Sequence, residues 1–130
     1  MMFHIDIAPH TLHFKQPAGT SRGVYRTRKT WFVTLSSPQK PGVVGVGECA
    51  PLPNLSCDDL PNYEQRLRQA CQRFCETGVI NHDELSPYPS IRFGLETALW
   101  QWQRDGYANL SQTPFAWGEM GIPINGLVWM

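Results

Sequence analysis

A valine-rich run that ends in a proline-stiffened loop constrains the fold of this sequence most. Three valines within residues 43–46 precede Gly-Glu-Cys-Ala-Pro-Leu-Pro-Asn-Leu-Ser at residues 47–56. β-branched residues favour strands, whereas prolines fix the backbone of a turn. We therefore predict a strand over 43–49 that ends in a rigid loop carrying Leu52 and Leu55 outward. Two interpretations are open: these leucines line the rim of a pocket, or they pack back onto their own domain.

Alternating apolar residues predict two further strands before that loop. Residues Phe3–Phe14 form one long strand or two halves bent at Pro9, and residues Trp31–Ser36 form the second strand. The segment Pro38–Gly42 is a turn. Three consecutive strands with short connections are typical of an antiparallel meander.

The segment Lys15–Arg28 is predicted to be a long loop, because it contains Pro17 and two glycines. Thr20, Ser21 and Arg22 place two hydroxyls and a guanidinium within it, and a guanidinium pairs well with a carboxylate. A mobile loop of this kind can close over an anionic ligand and exclude water. The alternative is a plain surface excursion.

Two amphipathic helices follow the third strand. The first runs from an aspartate cap at 58 or 59 to Gly78, and the second runs from Pro89 or Ser90 to Gly106. The apolar stripes are Tyr63, Leu67, Ala70, Cys71 and Phe74 in the first helix, and Ile91, Leu95, Ala98, Leu99 and Trp102 in the second. Glu96 departs from its stripe and is predicted to lie on the surface rather than to act as a catalytic acid.

The candidate metal ligands do not form a recognisable set. Cys71 and Cys75 are one helical turn apart, which differs from a zinc knuckle, so the four cysteines are predicted to be buried free thiols. Histidines 4, 10 and 13 fall on both faces of a strand. Adjacent acids at 58–59 and 83–84 diverge rather than converge on one ion.

Charge and hydropathy exclude several classes of partner. Eleven basic and eleven acidic residues give a net charge of zero, which disfavours a nucleic-acid binder. A local cluster at Arg22, Arg26, Arg28 and Lys29 is interpreted, for most of its members, as a solvated strand edge. The N-terminus does not resemble a signal peptide, and no apolar run has the length of a membrane span, so we expect a soluble, cytoplasmic protein with no membrane partner.

The final segment, Ile122–Met130, is nearly all apolar and is predicted to be a buried strand of a parallel sheet. Such a strand needs neighbours that the sequence does not provide downstream. We therefore expect a truncated chain, with residues 1–118 as one domain and 119–130 as the start of another. Exposure of this strand predicts fraying or self-association through 122–130.

The order of these elements resembles the N-terminal capping domain of the enolase superfamily, muconate-lactonizing-type subgroup. Within it, the motifs resemble those of o-succinylbenzoate synthases. The matching stretches are Gly45-x-Gly-Glu-x-x-Pro-Leu-Pro53, Pro89–Leu99, Ile124–Met130 and, as a mobile cap loop, Pro17–Gly23. The resemblance implies an α+β fold: a three-stranded antiparallel meander followed by helices, plus the first strand of a truncated (β/α)8 barrel.

The resemblance also implies a reaction, which is dehydration of 2-succinyl-6-hydroxy-2,4-cyclohexadiene-1-carboxylate to o-succinylbenzoate in menaquinone biosynthesis. In this family a lysine abstracts the α-proton, and Mg²⁺ stabilises the enediolate. The family's Lys-x-Lys motif is absent, since the lysines are Lys15, Lys29 and Lys40. We assign no catalytic or metal-binding residue to this chain, and we predict that it binds no Mg²⁺ and is inactive without the barrel domain.

The resemblance further implies that two loops of this chain act as a lid. It implies that Thr20, Ser21 and Arg22 in the first loop, and Leu52, Pro53, Asn54 and Leu55 in the second, cover a small-molecule carboxylate in the full-length enzyme. Glu48 either contacts substrate or accepts a hydrogen bond from the cap backbone, the latter being favoured. Alternatives are the cap of a dipeptide epimerase or cycloisomerase, and a non-catalytic binding module.

Overall fold

A computed structural model describes residues 2–109 and 111–126 of the chain. One antiparallel sheet with the strand order β1-β2-β3 precedes two helices. The elements are β1 (His4–Thr20), β2 (Gly23–Ser36), β3 (Val44–Cys49), α1 (Tyr63–Thr77) and α2 (Pro89–Gln103). The predicted meander followed by two helices is confirmed.

The prediction of a long loop at Lys15–Arg28 is wrong, because β1 extends to Thr20 and β2 begins at Gly23. Thr20 pairs with Gly23, so that a two-residue turn joins β1 and β2. Because His13 pairs with Thr27 and Ala18 with Tyr25, residues 14–17 lie opposite a single residue of β2 in a bulge. A bulge accommodates Pro17, whose nitrogen has no hydrogen to donate to a ladder.

One long first strand is confirmed, since β1 continues through Pro9 without dividing into halves. β1 lies at the edge of the sheet, where the missing N–H of a proline faces away from the neighbouring strand. The edge position therefore explains why the proline does not end the strand.

The core lies between one face of the sheet and the two helical stripes. Val33 of β2 pairs with Ile7 on one side and with Gly47 on the other, and strand alternation puts Trp31 and Leu35 on the same face. The predicted stripe residues are buried, except that Ala70 and Leu99 are half-buried. The 3.6-residue period thus identified both core-facing helix surfaces.

Glycines allow α2 to lie directly on β3. A Cβ atom at Gly47 would overlap the carbonyl group of Gly94, and a Cβ atom at Gly45 would overlap the carbonyl oxygen of Ala98. A Cβ atom at Gly94 would in turn overlap the Sγ atom of Cys49. The backbones of strand and helix are therefore in contact, with no room for side chains between them.

The helix ends differ in part from the predictions. α1 begins at Tyr63 after Asn62, not at an aspartate cap, while Gly78 ends it as predicted with a φ of 70°. α2 begins at Pro89 as predicted but ends at Gln103. Gly106 lies beyond this end with a φ of 88°, and its N–H donates to the carbonyl of Gln101 at 2.9 Å. It closes the turn after the helix rather than the helix itself.

The C-terminal part of the described chain has neither helix nor strand. Residues 111–126 form turns and irregular backbone, and residues 122–126 are exposed. The predicted strand over Ile122–Met130 continues into residues 127–130, which lie outside the described residues, so that strand stays a prediction. No helix in the described part of the chain is long and apolar enough to cross a membrane.

Substitution of Gly47 by alanine is expected to lower the free energy of unfolding by about 2–3 kcal/mol, because backbone atoms rather than a flexible side chain must move. Gly121→Ala is the matched control, since nothing lies within 4 Å of a Cβ atom at that position. The urea midpoints of the two variants measure the difference. Equal midpoints would show that the helix does not approach the strand this closely.

Cysteine alkylation tests the core. Cys49 and Cys71 are buried as predicted, whereas Cys75 is half-buried and Cys57 is exposed, so the prediction of four buried thiols is wrong for Cys57. Burial raises the pKa of Cys49 to about 12, with the nearby carboxylates of Asp58 and Glu48 adding to it. Burial likewise raises the pKa of Cys71 to about 12.

A thiol is neutral below its pKa, so the two core cysteines hold almost no thiolate at pH 8. Iodoacetamide at pH 8 is therefore expected to modify Cys57 first in the native protein, the half-buried Cys75 more slowly because burial raises its pKa as well, and Cys49 and Cys71 only after unfolding in urea. Intact mass and peptide mapping measure the sites. Early modification of Cys49 would contradict the packing of β3 on α2.

Candidate functional site

The loop after β3 contains the second predicted lid segment, Leu52–Leu55, here called the second loop. The N–H groups of Leu55 and Ser56 donate to the carbonyl of Leu52, and the Leu52 N–H donates to Oγ of Ser56 at 2.8 Å. Asn54 has a φ of 63°, a conformation that asparagine tolerates, and its N–H donates to Oδ2 of Asp59 at 2.8 Å. The predicted rigid loop is consistent with these internal bonds.

The side chains of the second loop differ in exposure. Leu55 is 55% exposed, and Asn54 is also exposed, whereas Leu52 and Pro53 are half-buried. The predicted outward position is thus confirmed for Leu55 and is wrong for Leu52. Of the two leucines in this loop, Leu55 is therefore the more exposed to its surroundings.

The first predicted lid segment, Thr20–Arg22, lies at the end of the β1–β2 hairpin and is here called the hairpin tip. The Thr20 hydroxyl accepts from the N–H of Arg22 at 3.1 Å and donates to the carbonyl of Gly23 at 3.3 Å. This hydroxyl therefore stabilises the turn. The side chains of Ser21 and Arg22 are exposed and remain the groups at the tip that suit an anionic ligand.

Two side chains of β2 connect the hairpin to the loop that follows β3. The Tyr25 hydroxyl donates to the carbonyl of Pro53 at 2.9 Å, and Nη2 of Arg28 donates to the carbonyl of Ala50 at 2.8 Å. Both donors are half-buried, which shows that the interpretation of Arg28 as part of a solvated strand edge is wrong. The two predicted lid segments are thus joined through β2.

Sequence reasoning missed Tyr25 and Arg28 because their partners are backbone carbonyls more than twenty residues away. The strand period offers no signal for such contacts. Both residues belong to Lys15–Arg28, the segment predicted to be a loop. A tyrosine is unusual at a solvated loop position, so Tyr25 was the one local signal.

An open cleft of about 660 Å³ lies beside this connection. Its lining combines one guanidinium and two carboxylates with hydroxyls and an exposed aromatic ring. The residues are Arg28, Glu48, Ala50, Ser56, Cys57, Asp58, Pro89, Ser90 and Phe93. Oε1 of Glu48 accepts a hydrogen bond from the Thr30 hydroxyl at 2.9 Å. The prediction of a backbone donor for Glu48 is therefore wrong, because the donor is a side-chain hydroxyl.

A buried polar cluster supports the floor of the cleft. The Asp58 carboxylate, only 1% exposed, accepts from the N–H of Ser90 at 2.9 Å and from the Ser90 hydroxyl. The hydroxyls of Ser90 and Tyr63 are 2.7 Å apart, and burial raises the pKa of Tyr63, which keeps that phenol neutral. Asp58 therefore caps α2, where an anion is favourable at the N-terminus, instead of α1 as predicted.

Two of the three lysines are engaged in contacts within the domain. Lys40 contacts Asp105 and the carbonyls that end α2, and Lys29 lies over the ring of Trp31. Within residues 2–109 and 111–126, no group of three His, Cys, Asp or Glu is arranged to hold a metal ion. Glu96 forms an ion pair with Arg92 and lies 3.1 Å from Nε2 of His82, on the surface as predicted.

Comparison with known proteins agrees with this arrangement. The family model described as MenC, N-terminal domain, matches residues 12–102. The o-succinylbenzoate synthase of Desulfotalea psychrophila (strain LSv54 / DSM 12343) is 33% identical over 92% of this chain and 40% of its own length. The chain thus spans less than half the length of this relative.

Solved structures show the same fold. MenC from Desulfotalea psychrophila LSv54 superposes with a TM-score of 0.67 at 24% identity, over 100% of this chain and 42% of that one. The o-succinylbenzoate synthase from Thermosynechococcus elongatus BP-1, complexed with Mg in its active site, gives 0.53 at 27% identity, over 82% of this chain and 30% of that one. The L-Ala-D/L-Glu epimerase of Bacillus subtilis superposes with a TM-score of 0.60 at 19% identity, over 78% of this chain and 30% of that one. With more than half of its residues matched by the family model, the chain belongs to the MenC family as that family's N-terminal domain.

Proposed function

We propose that this chain is the cap domain of an o-succinylbenzoate synthase, a carbon–oxygen lyase that dehydrates 2-succinyl-6-hydroxy-2,4-cyclohexadiene-1-carboxylate. The observation that supports it most is the joining of the two lid segments through β2, beside an open cleft. This geometry suits a cover over a small carboxylate. The family match and the 33% identity supply the reaction.

In this proposal the cap binds, orients and shields the substrate. Arg22 at the exposed hairpin tip pairs with a substrate carboxylate, and Leu55 provides apolar contact from the second loop. Closure of both segments excludes water from the reacting carbon, which strengthens the electrostatic interactions around it. Thr20, Ser21, Leu52, Pro53 and Asn54 shape these two segments.

The proton-abstracting base and the magnesium site belong to a following barrel domain. Mg²⁺ bound in that domain would stabilise negative charge that develops on the substrate carboxylate. We place the cap at residues 1–118 and the start of the barrel at 119–130, and we place the enzyme in the cytoplasm, in menaquinone biosynthesis. The barrel domain is the main partner of the cap, and residues 122–130 are its point of attachment.

A dipeptide epimerase is the second candidate, since the Bacillus subtilis epimerase has the same cap fold with a TM-score of 0.60. The two activities share proton abstraction α to a carboxylate, so the cap fold does not separate them. An assay separates the two activities. It uses the protein at the length of its relatives and tests the cyclohexadiene carboxylate and L-Ala-L-Glu in parallel. Dehydration without epimerisation supports the proposal, and the reverse result rejects it.

Replacement of Arg22 by alanine in the protein at the length of its relatives is expected to raise KM about tenfold, with kcat changed less than about twofold. Loss of a charge-assisted hydrogen bond to substrate weakens binding by this order. Arg66→Ala removes an exposed guanidinium from α1 and is the matched control. Steady-state kinetics with saturating Mg²⁺ measure both variants, and equal KM values would remove Arg22 from the binding site.

A further inference from the structure

The ladder between β2 and β3 ends early, and β2 continues toward the hairpin tip paired with β1 but no longer with β3. The last pair of this ladder joins Trp31 to Cys49. Beyond it, β2 runs on to Gly23 while the chain after Cys49 leaves the sheet. Backbone pairing between these strands therefore provides no attachment for the second loop.

Two side chains of β2 continue the attachment where the ladder stops. Arg28 is three residues beyond the last pair and reaches Ala50, one residue beyond Cys49. Tyr25 is six residues beyond it and reaches Pro53, four residues after Cys49. From Arg28 to Tyr25 the donor moves three residues along β2, and from Ala50 to Pro53 the acceptor also moves three residues. The donor–acceptor distances are 2.8 Å for Arg28 and 2.9 Å for Tyr25.

The second loop has a shape of its own, but that shape does not fix its position. Its internal bonds run among Leu52, Asn54, Leu55, Ser56 and Asp59, within one stretch of chain. These bonds keep the shape of the loop but do not hold it on the sheet, and a loop released from the sheet opens them more often. The bonds from Tyr25 and Arg28 are broken by such a release, because they join the chain after β3 to another element.

We propose that Tyr25 and Arg28 are positioning residues that fasten the second loop to the hairpin, so that the tip and the second loop move as one body. Tyr25 lies opposite Ala18, two pairs from the turn, and transmits any bending of the hairpin to Pro53. Half-buried donors strengthen this link, because a buried partner left unsatisfied is costly. The consequence for substrate binding rests on the proposed function.

Amide hydrogen exchange on the 130-residue chain tests the fastening directly. Tyr25→Phe keeps the ring and removes the hydroxyl, and it is expected to raise exchange at Leu52, Leu55 and Ser56 about three- to tenfold. Amides of α2 are expected to keep their exchange rates. Tyr107→Phe, at an exposed tyrosine, is the matched control and leaves the second loop unchanged.

Arg28→Lys is the second variant, since lysine keeps the charge but lacks the planar guanidinium that reaches Ala50. The same local rise in exchange is expected. Unchanged exchange at the second loop in both variants overturns the proposal. An equal rise throughout α2 also overturns it, because the side chains would then stabilise the whole domain rather than one loop.

Kinetics of the protein at the length of its relatives separate this proposal from the proposed function. Tyr25→Phe is expected to raise KM about threefold with kcat retained, and its effect is not additive with that of Arg22→Ala, since both act on one lid. Additive effects overturn the single-body lid. An inactive wild-type protein would instead reject the proposed function, while hydrogen exchange still decides whether the loop is fastened.

Discussion

The direct contact between the backbones of α2 and β3 is the constraint on which the rest of the structure depends. Gly45, Gly47 and Gly94 remove the side chains that would otherwise separate the two elements. The close approach positions the N-terminus of α2 beside the end of β3, where Asp58 caps it. The cleft and the second loop both lie next to this junction, since residues from the end of β3 and from the start of α2 line the cleft.

Regular periodicity explains how much of the fold the sequence predicts. The two helical stripes and the strands at Trp31–Ser36 and 43–49 follow from the spacing of apolar residues. All are found, although β2 begins at Gly23, eight residues before the predicted start. The hairpin was missed because proline and glycine suggest a break locally, whereas pairing with a long partner strand supports them in a bulge. Tertiary pairing outweighed local preference there.

The site was predictable only to the extent that it lies in contiguous segments. The motif at 45–53 pointed to the second loop, and the position of Arg22 at an exposed tip agrees with the lid interpretation. Tyr25, Arg28 and the capping role of Asp58 depend on contacts between residues far apart in sequence. No period or local motif encodes such contacts, so they required the folded structure.

The buried carboxylate of Asp58 has a consequence for how this domain diversifies. It accepts two hydrogen bonds from Ser90 while it follows the second loop by three residues, so the chain between them has a fixed span. An insertion between Leu55 and Asp58 would pull the carboxylate away from the helix and leave buried donors unsatisfied. Positions 52–55 therefore accommodate exchanges of side chain more readily than changes of length, because only the latter move Asp58.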